Sequence, residues 1–161
     1  MLQAGQHTVA LGGTFEQLHD GHKKLILSAL QIGDRVIIGL SSDNLTANMQ
    51  KNHHISSYES RSTRLKAFLS GIGALRRVTI VPLDDSYGPA VKDETISGIV
   101  VSPETLETAF VINRIRVQKE MAPLEIYVVG FVLSDGGKPI STSRISRGLI
   151  SKNGRLLRED S

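Results

Sequence analysis

Gly12-Gly13-Thr14-Phe15-Glu16-Gln17-Leu18-His19-Asp20-Gly21-His22 separates an apolar run, His7 to Leu11, from a segment of helical periodicity, Asp20 to Ile32. Leu25, Ala29 and Ile32 recur at i, i+4 and i+7, one face of a helix, and Gly33 closes it. The same alternation continues along the chain. Arg35 to Leu40 reads as a buried strand and Val78 to Leu83 as a third strand, with a helix from Glu59 to Ile72 between them. Ile99 to Val101 is a fourth strand, and Ser102 as N-cap with Pro103 at the first helical position predicts a long helix to about Glu120. Ile126 to Leu133 is a fifth strand and Ser141 to Ile150 a last short helix. Short β-branched runs separated by helices imply a parallel sheet covered on both faces. With right-handed crossovers this is an α/β, doubly wound, Rossmann-like sheet of five strands. Its ligand site lies outside the carboxyl ends of the strands, where Gly12 to His22 falls.

The residues of that stretch carry chemistry. Two glycines let a backbone turn tightly and approach a ligand. Thr14 offers a hydroxyl just past the strand end, and His19-x-Gly21-His22 straddles the helix entry. Helix N-termini carry free N–H groups and partial positive charge, which attract phosphates. Two imidazoles there can donate hydrogen bonds to phosphate oxygens. As a metal pair they would need a third ligand, and no nearby residue at recognisable spacing supplies one.

Composition narrows the classes. The 161 residues fit one domain, 1–161, with a core from about 7 to 154 and a polar tail at 152–161. Without cysteine there is no disulfide framework, zinc–thiolate site, iron–sulfur cluster or thiol catalysis. No apolar run approaches the ~20 residues that span a bilayer, and Met1 to His7 predicts no signal peptide, so the expectation is a cytoplasmic protein with no membrane partner. Net charge is +3 and aromatics are 4%, with no Trp. A nucleic-acid binder concentrates charge and adds stacking aromatics. No nucleic-acid partner is expected, and small anions suit the mild excess better. Gly136-Gly137-Lys138 makes no P-loop, because Val132 stands at the first Gly position and Pro139 follows the lysine.

Gly12 to His22 resembles the signature of the HxGH nucleotidyltransferase superfamily, in which a Gly-Thr-Phe turn precedes His-x-Gly-His. Ile140-Ser141-Thr142-Ser143-Arg144 resembles that superfamily's second motif, with its second Ser and Thr exchanged. It is another helix start lined with hydroxyls and a cation, suited to pyrophosphate. Outside these motifs, Ser41-Ser42-Asp43, Lys51 to Arg61, Asp85 to Ala90, Val100 to Thr105, Ile112 to Arg116 and Asp135 to Pro139 resemble the archaeal-type phosphopantetheine adenylyltransferase family, over nearly the whole chain. Gln17, where relatives often carry Pro, and Ser60, where they carry Glu, depart from the pattern.

The resemblance implies reversible transfer of AMP from ATP to 4′-phosphopantetheine, giving dephospho-coenzyme A and pyrophosphate in coenzyme A biosynthesis, by direct in-line attack. It implies that Thr14 holds the acceptor phosphate, that His22 contacts the α- or β-phosphate region, and that His19 is a second donor. Gly13, Phe15 and Gly21 belong to the same ATP and phosphate site. Ser141, Thr142 and Ser143 would hold the β- and γ-phosphates and Arg144 neutralise them. Lys51 is either an exposed loop lysine or the family's bridge between acceptor phosphate and α-phosphate. Asn113 interrupts an apolar stripe with Leu106, Phe110 and Val117, either as a structural hydrogen-bonder or facing the cleft. Arg114 and Arg116 flank it as solvated helix residues. Asp85 and Tyr87 shape either the acceptor pocket or only a loop. Mg²⁺ is expected to arrive with ATP rather than in a protein cage, and a monomer rather than the hexamer of bacterial relatives. The competing readings are a cytidylyltransferase for an alcohol phosphate, an adenylyltransferase for FMN or nicotinamide mononucleotide, and a non-catalytic nucleotide- or nucleic-acid-binding module.

Overall fold

The computed structural model describes residues 6–48 and 54–130. Five parallel strands, β1 (Thr8–Gly13), β2 (Arg35–Ser41), β3 (Val78–Leu83), β4 (Ile96–Val101) and β5 (Glu125–Val128), form one sheet in the order β3-β2-β1-β4-β5. The expected five-stranded α/β architecture is therefore the observed one. The order reverses after β1, so the switch point lies between β1 and β4, at the carboxyl ends that carry Gly12 to Thr14. Register is continuous between β1 and β2, from Thr8 opposite Arg35 to Gly13 opposite Leu40, and breaks once against β4, between Thr8 and Val9.

The helices are α1 (Asp20–Ile32), α2 (Asp43–Ala47), α3 (Tyr58–Gly71) and α4 (Leu106–Gln118). Alternation along the strands splits the core in two. Val9, Leu11, Val36, Ile38 and Leu40 pack with Ile26 and Ala29 of α1 and Leu65 and Leu69 of α3. Ala10, Ile99 and Val101 face Ala109 and Ile112 of α4 and a one-turn 3-10 helix, Gly88–Val91. No helix among the described residues is long and apolar enough to cross a membrane.

Four expectations need correction. Gly12 and Gly13 end β1 and do not form the turn; the left-handed backbone falls on Phe15 (φ 52°) and Leu18 (φ 38°). Ser102 and Pro103 do not open α4. The Thr105 hydroxyl accepts from the Ser102 N–H (3.1 Å) and the Thr105 N–H donates to the Ser102 carbonyl (3.1 Å), a turn that delays the helix to Leu106. The stripe assigned to the interior of α4 is not its buried face: Phe110 and Val117 are exposed, while Ala109, Ile112 and Arg116 are buried. Arg116 is not solvated, because Ala90, Asp93, Ile96 and Ala122 offer it four backbone carbonyls. The fifth strand is described from Glu125 to Val128, and the expected helix Ser141 to Ile150 lies outside the described residues.

Candidate active site

His19 is the N-cap of α1. Its Nδ1 accepts from the backbone N–H of Gly21 (3.0 Å) and of His22 (3.4 Å), and His22 Nδ1 accepts from the His19 N–H (3.3 Å). This is a reciprocal capping box built from two histidines where Ser/Thr and Glu/Gln usually stand. A ring nitrogen that accepts carries no proton, so the proton of each neutral ring sits on Nε2. The cap takes up helix amides that the sequence reading left free for phosphate, and the two Nε2–H groups replace them as donors.

The rings stack, with centroids 3.7 Å apart and planes 15° from parallel, and His22 meets the edge of Phe15 at 5.0 Å. Burial holds both rings neutral. It pushes His19 down to about 4, against an upward pull from Asp20, and His22 down to about 3, aided by the neighbouring His19. At neutral pH the pair is an uncharged double donor.

Thr14 lies one residue beyond β1, with its hydroxyl donating to Ser41 Oγ (3.3 Å) at the end of β2. Both residues line a cavity of about 240 Å³ on the α4 side of the sheet. Small residues hollow that face: Ala10 and Gly12 of β1 and Gly39 of β2 leave room beneath Ile112 and Ala109. Leu83 crosses the floor. A Cβ at Gly12, Gly39 or Gly88 would come within 3.1, 2.6 or 2.2 Å of its side chain, so three glycines seat one leucine. Asp85 Oδ1 accepts from the N–H groups of Tyr87 and Gly88, both at 2.8 Å, which also holds its carboxyl below the usual range. Asp85 and Tyr87 are both in the cavity wall, and the turn-cap role of Asp85 comes in addition.

Behind Thr14 stands an ionic cluster, buried at Arg61 and Glu16 and open to solvent at Asp43. Arg61 of α3 donates from Nη1 to the Thr14 carbonyl (3.1 Å) and from Nε to the Ser56 carbonyl (2.9 Å), and pairs with the Asp43 carboxylate (3.5 Å). The Glu16 carboxylate accepts from Ser56 N–H (2.9 Å) and Oγ (2.7 Å), and the Glu16 carbonyl accepts from Arg64 (2.6 Å).

The structure thus gathers Thr14, Asp85 and Tyr87 around the cavity and His19, Gly21 and His22 at the start of α1, with Phe15 against His22; Gly13 also lines the cavity and underlies the Phe15 ring. Asn113 stands apart. Its amide donates to the Leu124 carbonyl (2.9 Å) and accepts from the Leu124 N–H (2.7 Å), which uses both ends as a clamp between α4 and β5. Arg114 is exposed. Lys51, Ser141, Thr142, Ser143 and Arg144 lie outside the described residues. Sequence reading missed Ser41, Leu83, Glu16 and Arg61. Gly39 within a β-branched strand was the available signal for the cavity, since a glycine there marks a close approach.

A parallel sheet with a phosphate-type helix start beside a Thr-lined cleft at its switch point defines a nucleotide-handling class. The cytidylyltransferase-like family model matches residues 10–148, and the chain belongs to that family. Phosphopantetheine adenylyltransferase of Methanosarcina acetivorans is 46% identical over 154 residues, 94% of this chain and 96% of the relative. That of Methanopyrus kandleri is 42% identical over 144 residues, 89% of this chain and 90% of the relative. Within the wider family, the chain belongs with these phosphopantetheine adenylyltransferases. A solved structure of an Archaeoglobus fulgidus protein described as of unknown function is 34% identical, with a TM-score of 0.66 over 76% of this chain and 88% of that one.

Proposed function

We propose that the chain transfers AMP from ATP to 4′-phosphopantetheine, giving dephospho-coenzyme A and pyrophosphate. One observation carries the reading most: Thr14 lines an apolar cavity, and the next residue, Phe15, packs its ring against His22 of a neutral pair of imidazole donors. An acceptor arm of amides and methylenes suits the cavity, whose walls include Leu83, Ile99 and Ile112, and its phosphate end then meets the Thr14 hydroxyl. A short polyol phosphate would leave that apolar volume unfilled, which argues against an alcohol-phosphate cytidylyltransferase. The names and near full-length similarity of the relatives support the same substrates.

In the step itself, an acceptor phosphate oxygen attacks the α-phosphorus of ATP. The new P–O bond forms as the bond from the α-phosphorus to the bridging oxygen breaks, and pyrophosphate leaves with that electron pair. The nucleophile is already anionic at neutral pH, so no general base is needed. The protein's work is positioning and charge stabilisation. Thr14 orients the acceptor, and the Nε2–H groups of His19 and His22 donate to the α- and β-phosphate oxygens. Lys51 and the hydroxyls of Ser141 to Ser143 with Arg144 are proposed to complete the phosphate contacts. Imidazole N–H and hydroxyl groups suit phosphate oxygens rather than a cation, so Mg²⁺ is proposed to ride on ATP through phosphate oxygens and water.

The test is product analysis. Purified protein with Mg²⁺, ATP and 4′-phosphopantetheine should yield dephospho-coenzyme A and pyrophosphate by mass spectrometry. Parallel reactions pair CTP with glycerol 3-phosphate, and ATP with FMN or nicotinamide mononucleotide. Turnover only with one of these pairs would replace the substrates proposed here, and no turnover with any would favour a binding module.

A further inference from the structure

Arg61 is the largest wholly buried side chain among the described residues, and the transfer chemistry makes no use of it directly. Its hydrogen bonds show what it does. Nη1 reaches back 47 residues to the Thr14 carbonyl (3.1 Å), the oxygen of the peptide that leads into Phe15. Phe15 holds φ at 52°, a left-handed conformation that strains a non-glycine residue and persists only where the surroundings fix it. Nε binds the Ser56 carbonyl (2.9 Å), just before α3, and Nη2 faces the Asp43 carboxylate (3.5 Å) at the start of α2. One rigid guanidinium therefore ties the 14–15 peptide to two further elements. A lysine could not reproduce that fork.

We propose that Arg61 is a positioning residue for the transfer reaction: by holding the Thr14–Phe15 peptide it sets the angle at which the Thr14 hydroxyl meets the acceptor phosphate. The proposal rests on the reading of Thr14 given above for its effect on rate, while the positioning itself does not. Asp43 orients the guanidinium from its far side. It also caps α3, with Oδ1 accepting from the Tyr58 N–H (2.7 Å), a bond that Asn can keep.

The test is a double-mutant cycle between Arg61→Lys and Thr14→Ala, with kcat and KM for both substrates measured on each protein. Arg61→Lys should lower kcat by at least about 30-fold and move either KM by less than about threefold, because the group lost aligns rather than binds. In the Thr14→Ala background the same change should cost no more than about twofold, since there is no hydroxyl left to align. Equal losses in both backgrounds would overturn the proposal, as would a folded Arg61→Lys protein with unchanged kcat. If Arg61→Lys does not fold, Asp43→Asn carries the same cycle: a severalfold loss confined to the Thr14 background is expected, and no loss or equal losses overturn the proposal. A wild-type protein that forms no dephospho-coenzyme A would overturn the substrate reading instead. The positioning is then read from amide hydrogen exchange in Asp43→Asn, where faster exchange at Phe15 and Glu16 with unchanged exchange in Val9 to Leu11 is expected, and unchanged exchange at Phe15 and Glu16 overturns it.

Discussion

At the residue scale, the two histidines do two jobs with two nitrogens. Nδ1 builds the cap of α1 by accepting, which puts the ring proton on Nε2 as a donor. The spacing of His19 and His22 was legible, because i and i+3 at a helix entry bring two side chains to one end. Their use as each other's cap was not, because imidazole rarely caps and the reading assumed that helix amides stayed free. Phe15 marks a second limit: with Gly12 and Gly13 adjacent, a left-handed phenylalanine is the less expected choice, and long-range contacts hold it, its ring in the core and its flanking carbonyls on the arginines of α3. The pair also makes stability depend on pH. Both folded-state values, about 4 and about 3, lie below the unfolded value of 6.5, so the unfolded chain binds the protons first. This stabilisation is fully present above about pH 6.5 and is lost as pH falls toward 4 and below. Urea midpoints should therefore fall between pH 6.5 and 4. His19→Asn keeps a good N-cap, so its stability at pH 7 should stay within about 1 kcal/mol of wild type, with a shallower acid slope. An unchanged slope would mean that His19 is not the group that titrates.

At the scale of elements, strands read well and helix faces read poorly. β2 and β4 are short β-branched runs buried on both sides, and such runs announce themselves; β3 carries the same composition at the sheet edge, with Thr79 and Pro82 exposed. α4 was misread because its buried stripe includes Arg116, whose charge is met by four carbonyls that no local pattern reveals. The five-residue α2 is too short to leave a period. Arg77 does comparable work for α1, which has no basic residue in its last turn: it donates to the carbonyls of Leu30, Gly33 and Asp34. Arg77→Met should cost about 1–2 kcal/mol in denaturant unfolding and leave kcat unchanged. A drop in kcat at intact stability would give Arg77 another role. The cavity floor gives a matching test of binding. In Gly39→Ala the new Cβ lies 2.6–2.9 Å from three atoms of Leu83, which must swing into the cavity. KM for 4′-phosphopantetheine should rise at least about tenfold, while ATP affinity by calorimetry holds. Equal loss of both affinities would mean that the cavity is not the acceptor's side.

At the scale of the whole molecule, the switch point between β1 and β4 puts one turn beside two different surfaces. The α1 side of the sheet brings helix-borne donors to its carboxyl edge, and the α4 side brings a hollow lined by small residues. Thr14 and Phe15 join them in sequence, one lining the hollow and the other packed on His22. The architecture was legible because alternating strands and helices admit few windings. The cavity was legible only at Gly39, since it arises from residues on four strands, α2, α4 and the 3-10 helix Gly88–Val91, whose spacing in sequence shares no period. The measurement that tests the central claim most directly compares wild type with Thr14→Ala in forming dephospho-coenzyme A from ATP and 4′-phosphopantetheine, alongside urea unfolding of both proteins. The expected result is product from the wild type and a rate lower by about 10²–10³ in the variant, as for the loss of one preorganised donor, at an unchanged unfolding midpoint. Near wild-type turnover by Thr14→Ala would contradict it.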